Sequence, residues 1–236
     1  PRWGLLAFAL PTRPYLRRVV NFRLFGIPVI VQPWHWILLG LLGYLLTRTP
    51  LGTGLFMLAG FLSFLVHEMG HALTGQAFKG QPHIVLHGFG GFALFPGARF
   101  TRLQMFLMIA AGPAAQLFLG AAVFGGLMYF GTSLPDTQIR LFFYFLAMIS
   151  IFWAILNLVP IVPLDGGQML DAVLGPKRRN LTLTISIIAA VLVAGLMLLR
   201  DEGDLSEKNW LFPLFVIMFA FQNFSELRER TAKKEE

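Results

Sequence analysis

Six stretches of predominantly apolar sequence, at about residues 33–47, 54–78, 103–131, 139–159, 181–199 and 209–224, constrain this chain more than any other feature. A membrane-spanning helix needs roughly 20 consecutive apolar residues to cross about 30 Å of hydrocarbon. The expected fold class is therefore an all-α polytopic membrane protein with six transmembrane helices. The third stretch is long enough to tilt or to include an interfacial turn, and the sixth is marginal, with Pro213 in its first turn. Composition agrees: 56% of the residues are hydrophobic and 13% charged, against about 25% charged in a soluble domain. A soluble enzyme, a nucleic-acid-binding domain and a disordered chain are excluded on that basis. The pI near 10.3 is read as loop charge in a membrane protein, with no nucleic-acid partner. With no Cys in the chain, a disulfide framework and thiolate chemistry are both ruled out.

Basic residues cluster on the cytoplasmic side of membrane spans, and here they sort the loops. With the N-terminus inside, the inner segments carry Arg2, Arg13, Arg17, Arg18, Arg23, Lys79, Arg99, Arg102, Lys177, Arg178, Arg179, Arg228, Arg230, Lys233 and Lys234. The outer segments carry only Arg48, Arg140, Arg200 and Lys208. Fifteen against four favours a multi-pass protein of the cell membrane with both termini cytoplasmic. The first 20 residues have no clean apolar core and do not read as a cleavable signal peptide. Pro1 is not an initiator Met, which points to trimming or processing.

Two short segments fall outside this helical scheme. Asn21 to Gln32, with Phe22, Leu24, Ile27, Val29, Ile30 and Val31 around Gly26 and Pro28, reads as a small N-terminal β segment lying at the membrane interface. Between helices 2 and 3, His83 to Pro96 is apolar, too short to span as a helix, and broken by Gly88, Gly90 and Gly91. Irregular backbone at membrane depth is tolerated only when buried in protein or lining a wet cavity. A short re-entrant β-hairpin is expected there, with an edge able to pair with an extended peptide. An apolar surface loop is the alternative.

Ionisable groups inside an apolar helix are costly and mark function. Helix 2 holds three within five residues, His67, Glu68 and His71, in the pattern H-E-x-x-H. Histidines at i and i+4 lie on one helix face and can meet one metal ion, and the intervening Glu projects beside it as a general base. A catalytic zinc takes three protein ligands and keeps one position open. Candidates for the third are His35, His83, His87, Asp136, Asp165 and Asp171. Asp165 stands out, because it follows helix 4 in a run bent by Pro160, Pro163, Gly166 and Gly167. The charge-derived orientation brings it to the depth of His67 and His71, since helix 2 enters from outside and helix 4 ends inside.

H-E-x-x-H in one helix and N-x-x-P-x-x-P-L-D-G-G at the end of another resemble the site-2 protease family of intramembrane zinc metalloproteases. The similarity extends to Phe25-Gly26-Ile27-Pro28-Val29, to the glycines around Gly88–Gly91 and to Ala111-Gly112-Pro113. It covers roughly residues 21–175 of a single membrane-embedded domain. Helices 5 and 6, at about 181–224, carry no matching motif, and residues 225–236 read as a solvated tail. The resemblance implies one Zn2+ per chain on His67, His71 and Asp165, with Glu68 as general base. It also implies that Asn157 helps hold the substrate or the oxyanion; a helix cap or interhelical contact is the competing role. Many relatives have G-P-x-x-N in helix 3, whereas position 116 here is Gln. With no room for the PDZ or CBS domains of some relatives, regulation is expected from a membrane partner, a homo-oligomer, the substrate or domains outside this chain.

The implied activity is an intramembrane zinc endopeptidase cutting transmembrane-helix substrates within the lipid bilayer. A substrate helix must unwind first, and Gly88, Gly90, Gly91 and Phe92 are the candidate substrate-binding residues of a clamp that adds it as a strand. A non-catalytic membrane chaperone and a metal transporter are the alternatives. The intact His67, Glu68, His71 and Asp165 set opposes the first, and the lack of ligands in the outer helix halves opposes the second. His35, between Trp34 and Trp36, reads as an interfacial residue. His83 and His87 receive no role, and Asp171 reads as a polar contact after the Gly pair.

Overall fold

A computed structural model describes residues 20–88, 90–131, 136–200 and 211–235. The arginines expected inside at positions 2, 13, 17 and 18, and Lys208, lie outside the described residues. The elements run β1 (Val20–Leu24), β2 (Ile27–Val31), α1 (Pro33–Thr47), α2 (Pro50–Ala77), β3 (His83–His87), β4 (Gly90–Leu94), α3 (Arg102–Phe130), α4 (Thr137–Asn157), α5 (Asp165–Leu174), a 3-10 turn (Pro176–Arg178), α6 (Arg179–Arg200) and α7 (Leu211–Glu235).

Helices occupy all six expected places. Four of them, α2, α3, α4 and the turn with α6, are long and apolar enough to cross a membrane. The 15-residue α1 rises only about 22 Å. In α7 the apolar part ends near Phe224 and mixed charge follows. The 29 residues of α3 reach about 43 Å, so it exceeds the hydrocarbon thickness and is long enough to tilt or to extend beyond it. Its start is fixed by a capping box in which Thr101 accepts from the Gln104 amide and the Gln104 side chain accepts from the Thr101 amide,.

The two short β segments, read separately from sequence, form one sheet. Its order is β1-β2-β3-β4, with antiparallel outer pairs and a parallel central pair in which Val29, Ile30 and Val31 face Ile84, Val85 and Leu86. Period-2 alternation puts Ile27, Val29 and Val31 of β2 on one face. Together with Ile84 and Leu86 they are buried against Phe64, Leu65, Met69 and Ala72 of α2. That burial fixes the sheet against the helix that carries H-E-x-x-H. Strand β4 has β3 on one side and ends the sheet on the other.

The segment without a recognisable motif has a structural task. Ile161, in the proline-rich loop before α5, is fully buried with Ala190 and Ala194 of α6 and Val216, Phe219 and Ala220 of α7. The residues expected to form a solvated tail continue α7 to Glu235, with residues 228, 229 and 231–233 exposed. Glu226 there receives two hydrogen bonds from the Arg179 guanidinium, each at 3.0 Å, and Arg230 donates to Asn180. Opposite charges facing across α6 and α7 hold this mixed-charge end as a helix.

Candidate metal centre

Helix α2 delivers His67 and His71 one turn apart, and the loop between α4 and α5 returns Asp165 to them at the first position of α5. The His67 Nε2 lies 3.0 Å from Asp165 Oδ2 and 3.1 Å from His71 Nε2, which is 3.6 Å from the same carboxylate oxygen. All three residues are buried. Two glycines allow the approach: a Cβ on Gly112 of α3 would fall on the His71 imidazole, and one on Gly70 of α2 would strike the Ala111 carbonyl. The G-P pair in α3 is thus a wall built against the His71 ring.

The partners behind the rings settle which nitrogens face inward. His67 Nδ1 is 2.9 Å from Gln116 Oε1, and His71 Nδ1 is 2.9 Å from the Met108 carbonyl oxygen. Both oxygens can only accept, so each Nδ1 carries its proton and each neutral Nε2 presents a lone pair. Those two lone pairs and Asp165 Oδ2, which has no hydrogen-bond donor of its own, converge in a space that only a cation or protons can occupy stably. The donor set of two imidazoles and one carboxylate, oriented through outer hydrogen bonds, suits zinc. The Gln116 amide in turn donates to Ser63 Oγ at 2.9 Å, and Ser150 Oγ donates to the same oxygen at 2.9 Å. Helices α2, α3 and α4 are joined by this fully buried chain.

Glu68 is 3% exposed and its Oε2 has no hydrogen-bond partner. A buried carboxylate oxygen left without a donor is unusual enough to require a role. Strand β4 crosses directly over it, since a Cβ on Gly91 would approach Glu68 Cγ to 2.9 Å.

The sequence model of peptidase family M50 matches residues 128–199. Over 182 residues the chain is 35% identical to sll0528 of Synechocystis sp., named as a zinc metalloprotease, which covers 71% of this chain and 47% of that protein. Over 180 residues it is 31% identical to Rip3 of Mycobacterium tuberculosis, also named as a zinc metalloprotease, with 72% and 45% covered. The chain is similar to peptidase family M50, the site-2 proteases. It spans about half the length of the curated relatives it matches. The solved structure of the site-2 protease from Methanocaldococcus jannaschii shares its fold, with a TM-score of 0.61 over 89% of this chain and 95% of that one at 20% identity.

Of the six residues weighed as the third ligand, Asp165 alone joins the histidines. Asp136 caps α4, accepting from the Gln138 amide. Asp171 is buried in contact with Arg179 at 3.2 Å and Thr182 at 3.1 Å, the polar contact expected of it. His83 and His87 are exposed on β3. His35 differs from its interfacial reading: it is fully buried, and its Nδ1 lies 3.0 Å from the Gly88 carbonyl oxygen. The hairpin supplies the physical reason, because it folds back over α1 and covers the imidazole.

Asn157 is the last residue of α4, half-buried, and its side chain hydrogen-bonds to no other described residue. Gly88 forms the hairpin turn at φ 52, Gly90 and Gly91 open β4, and Phe92 pairs with Val85 and packs its ring on His87 at 5.1 Å. Sequence reasoning left Gln116 without a role, and it overlooked Ser63, Ser150, Ser186 and Asn223. The available signal was a polar side chain inside an apolar helix, which is expected to face protein.

The loop before Asp165 is held on both sides of one residue. Ser186 of α6 accepts from the Val162 amide at 3.2 Å, and Asn223 of α7 donates to the Val162 carbonyl at 2.7 Å. At the far end of α5, Arg102 of α3 donates to the Ala172 and Val173 carbonyls, a guanidinium cap on the free acceptors of a helix C-terminus. Asp165 is therefore fixed through the element before it and the element after it.

Proposed function

We propose that this chain is an intramembrane zinc endopeptidase that hydrolyses peptide bonds within or near the transmembrane segments of membrane-anchored substrates. The observation that carries the reading is the buried convergence of His67 Nε2, His71 Nε2 and Asp165 Oδ2 beside an unpartnered Glu68, on a helix apolar and long enough to cross a bilayer. The named activity of the curated relatives supports it. One zinc per chain would be held by His67, His71 and Asp165, and when bound it supplies Lewis acidity that polarises a carbonyl and acidifies water towards neutral pH.

The chain's own residues do the rest. Glu68 is free to accept a proton from water and return it to the departing amine. Asn157 is unengaged and half-buried, so its amide can donate to the substrate backbone or to the developing oxyanion. Strand β4, through Gly90, Gly91 and Phe92, offers an unpaired edge to an unwound substrate segment, and Gly91 brings that edge against Glu68. Unwinding exposes backbone groups that must be satisfied in an apolar medium, and strand addition satisfies them. Both termini are assigned to the cytoplasm by the basic residues of the inner segments.

The deciding experiment compares wild type with Glu68→Gln for zinc stoichiometry and for cleavage of a synthetic single-span transmembrane peptide in detergent micelles. One zinc per chain is expected in both proteins. Cleavage by Glu68→Gln should fall by about 10²–10⁴-fold, the range of a lost general base. Undiminished cleavage by the variant rejects the mechanism, and absence of zinc from the wild type rejects the metal centre.

A further inference from the structure

His35 is an unusual group to bury at the start of a helix. It is fully buried and ringed by aromatic side chains, with ring centroids 5.7 Å away at Trp36, 6.3 Å at Phe61 and 5.8 Å at Phe64. Its Nδ1–H donates to the Gly88 carbonyl, 53 residues away at the turn of the β3–β4 hairpin. That tautomer leaves Nε2 as an acceptor, and Nε2 is buried without a partner. An apolar side chain of similar volume would fill the same space with no unsatisfied atom. Packing alone therefore does not account for a histidine here.

The consequence lies just beyond the turn, at the start of β4. One step before the turn, the Gln32 amide donates to the Leu86 carbonyl at 2.9 Å. The start of α1 thus holds the hairpin twice, once by backbone and once by side chain. Three residues beyond the turn, Gly91 passes over Glu68. Phe61 and Phe64 belong to α2, within two turns of Glu68, so His35 ties the hairpin to the helix that carries the general base. Strand β4 has β3 on one side only, and an edge strand with glycines at two of its five positions has little else to hold its register.

We infer that His35 is a positioning residue that clasps the hairpin turn and sets where the edge of β4 lies relative to Glu68. Its effect on catalysis rests on the reading of β4 as the strand that receives substrate. The clasp itself is a property of the substrate-free protein.

Three variants isolate the donor. In Asn the side-chain NH2 occupies the place of the His Nδ1, whereas in Gln it lies one carbon further on and points among the rings. Phe keeps the bulk and has no donor. Each is compared with wild type for zinc content, for KM and kcat on a synthetic single-span transmembrane peptide, and for amide hydrogen exchange of the hairpin without substrate. His35→Gln and His35→Phe should exchange faster at the hairpin and raise KM about tenfold, the scale of one lost buried hydrogen bond. In both, kcat and zinc content should stay near the wild-type values. His35→Asn should restore both KM and exchange.

Wild-type exchange in His35→Gln and His35→Phe overturns the clasp. Loss of zinc in His35→Gln overturns it too, by showing a general structural role. Faster exchange with an unchanged KM keeps the clasp and removes β4 as the substrate strand.

Discussion

Replacing Gln116 by Leu removes the acceptor of the His67 Nδ1 proton and the donor to Ser63 in one step, at a position with no solvent exposure. Leucine fills nearly the same volume in an apolar helix, so the cost falls on the polar groups left behind. His67 loses the hydrogen bond that fixes its tautomer and ring plane, and Nε2 is then free to swing from the axis shared with His71 and Asp165. Partners in this position change metal affinity by about 10–100-fold, which corresponds to about 1.4–2.8 kcal/mol. The same range follows from one hydrogen bond to a group that becomes charged or metal-bound, about 1.5–3 kcal/mol. The measurement is competition for zinc between the detergent-solubilised protein and a chromophoric chelator. Gln116→Leu should bind about 10–100-fold more weakly, still with one site. Gln116→Asn, whose oxygen is withdrawn by one methylene, should fall between the two. If Gln116→Leu holds zinc within about twofold of wild type, well short of the about 10–100-fold weakening expected, the ring of His67 is oriented by something else and the reasoning fails.

Three further outcomes bear on the site. Proline introduced at Phe92 and, separately, at Ala93 should leave zinc content intact. Amides alternate in direction along a strand, so one of these removes a donor from the outer edge of β4; cleavage unchanged in both would sink strand addition. Asn157→Ala should lower kcat by about 10²–10³-fold if its amide donates to the oxyanion, with zinc binding unchanged, and wild-type turnover would return Asn157 to a packing role. Because the chain has no Cys, a single Cys introduced at either end reports its side of the membrane. Labelling by an impermeant thiol reagent from outside intact cells would refute the cytoplasmic assignment of that terminus.

What could be read from sequence is what is encoded over short range or by parity. H-E-x-x-H needs only the 3.6-residue turn to bring two imidazoles together, and α2 is helical throughout that run. Asp165 was singled out for a different reason, the expected alternation of span direction, and the structure brings it together with His67 and His71 in a group able to hold a metal ion. The parallel pairing of β2 with β3 joins segments more than 50 residues apart and leaves no local signature, so one sheet was read as two pieces. The hydrogen bonds of Gln116 to positions 49 and 53 residues away depend on how α2 and α3 are rotated about their axes. Hydrophobic pattern fixes that rotation poorly when a helix is apolar on every side. At the end of α7 the charged residues 228, 229 and 233 are exposed, as a polar tail would be, but the helix that carries them to Glu235 is not legible until Arg179 is known to face Glu226.

The helices without a motif become intelligible through their polar side chains. In an apolar medium a hydroxyl or amide is costly unless bonded, and once bonded it resists sliding or rotation of the helix that carries it. Among the described residues, the buried hydroxyl and amide side chains end on segments that hold a candidate site residue. Ser63, Gln116 and Ser150 end on His67, and Ser186 and Asn223 end on Val162, three residues before Asp165. Thr182 and Arg179 end on Asp171 in the helix that Asp165 opens, and Arg102 closes that helix from the other side. Contacts between apolar faces gain little from exclusion of lipid, because lipid tails are as apolar as the side chains they would replace. Directional bonds are thus the means by which α3, α4, α6 and α7 specify the position of candidate site residues they do not themselves carry. An apolar replacement at Asn223 would leave the α6–α7 pair packed through Ala190, Ala194, Val216 and Phe219, while releasing the Val162 carbonyl and with it the loop that presents Asp165.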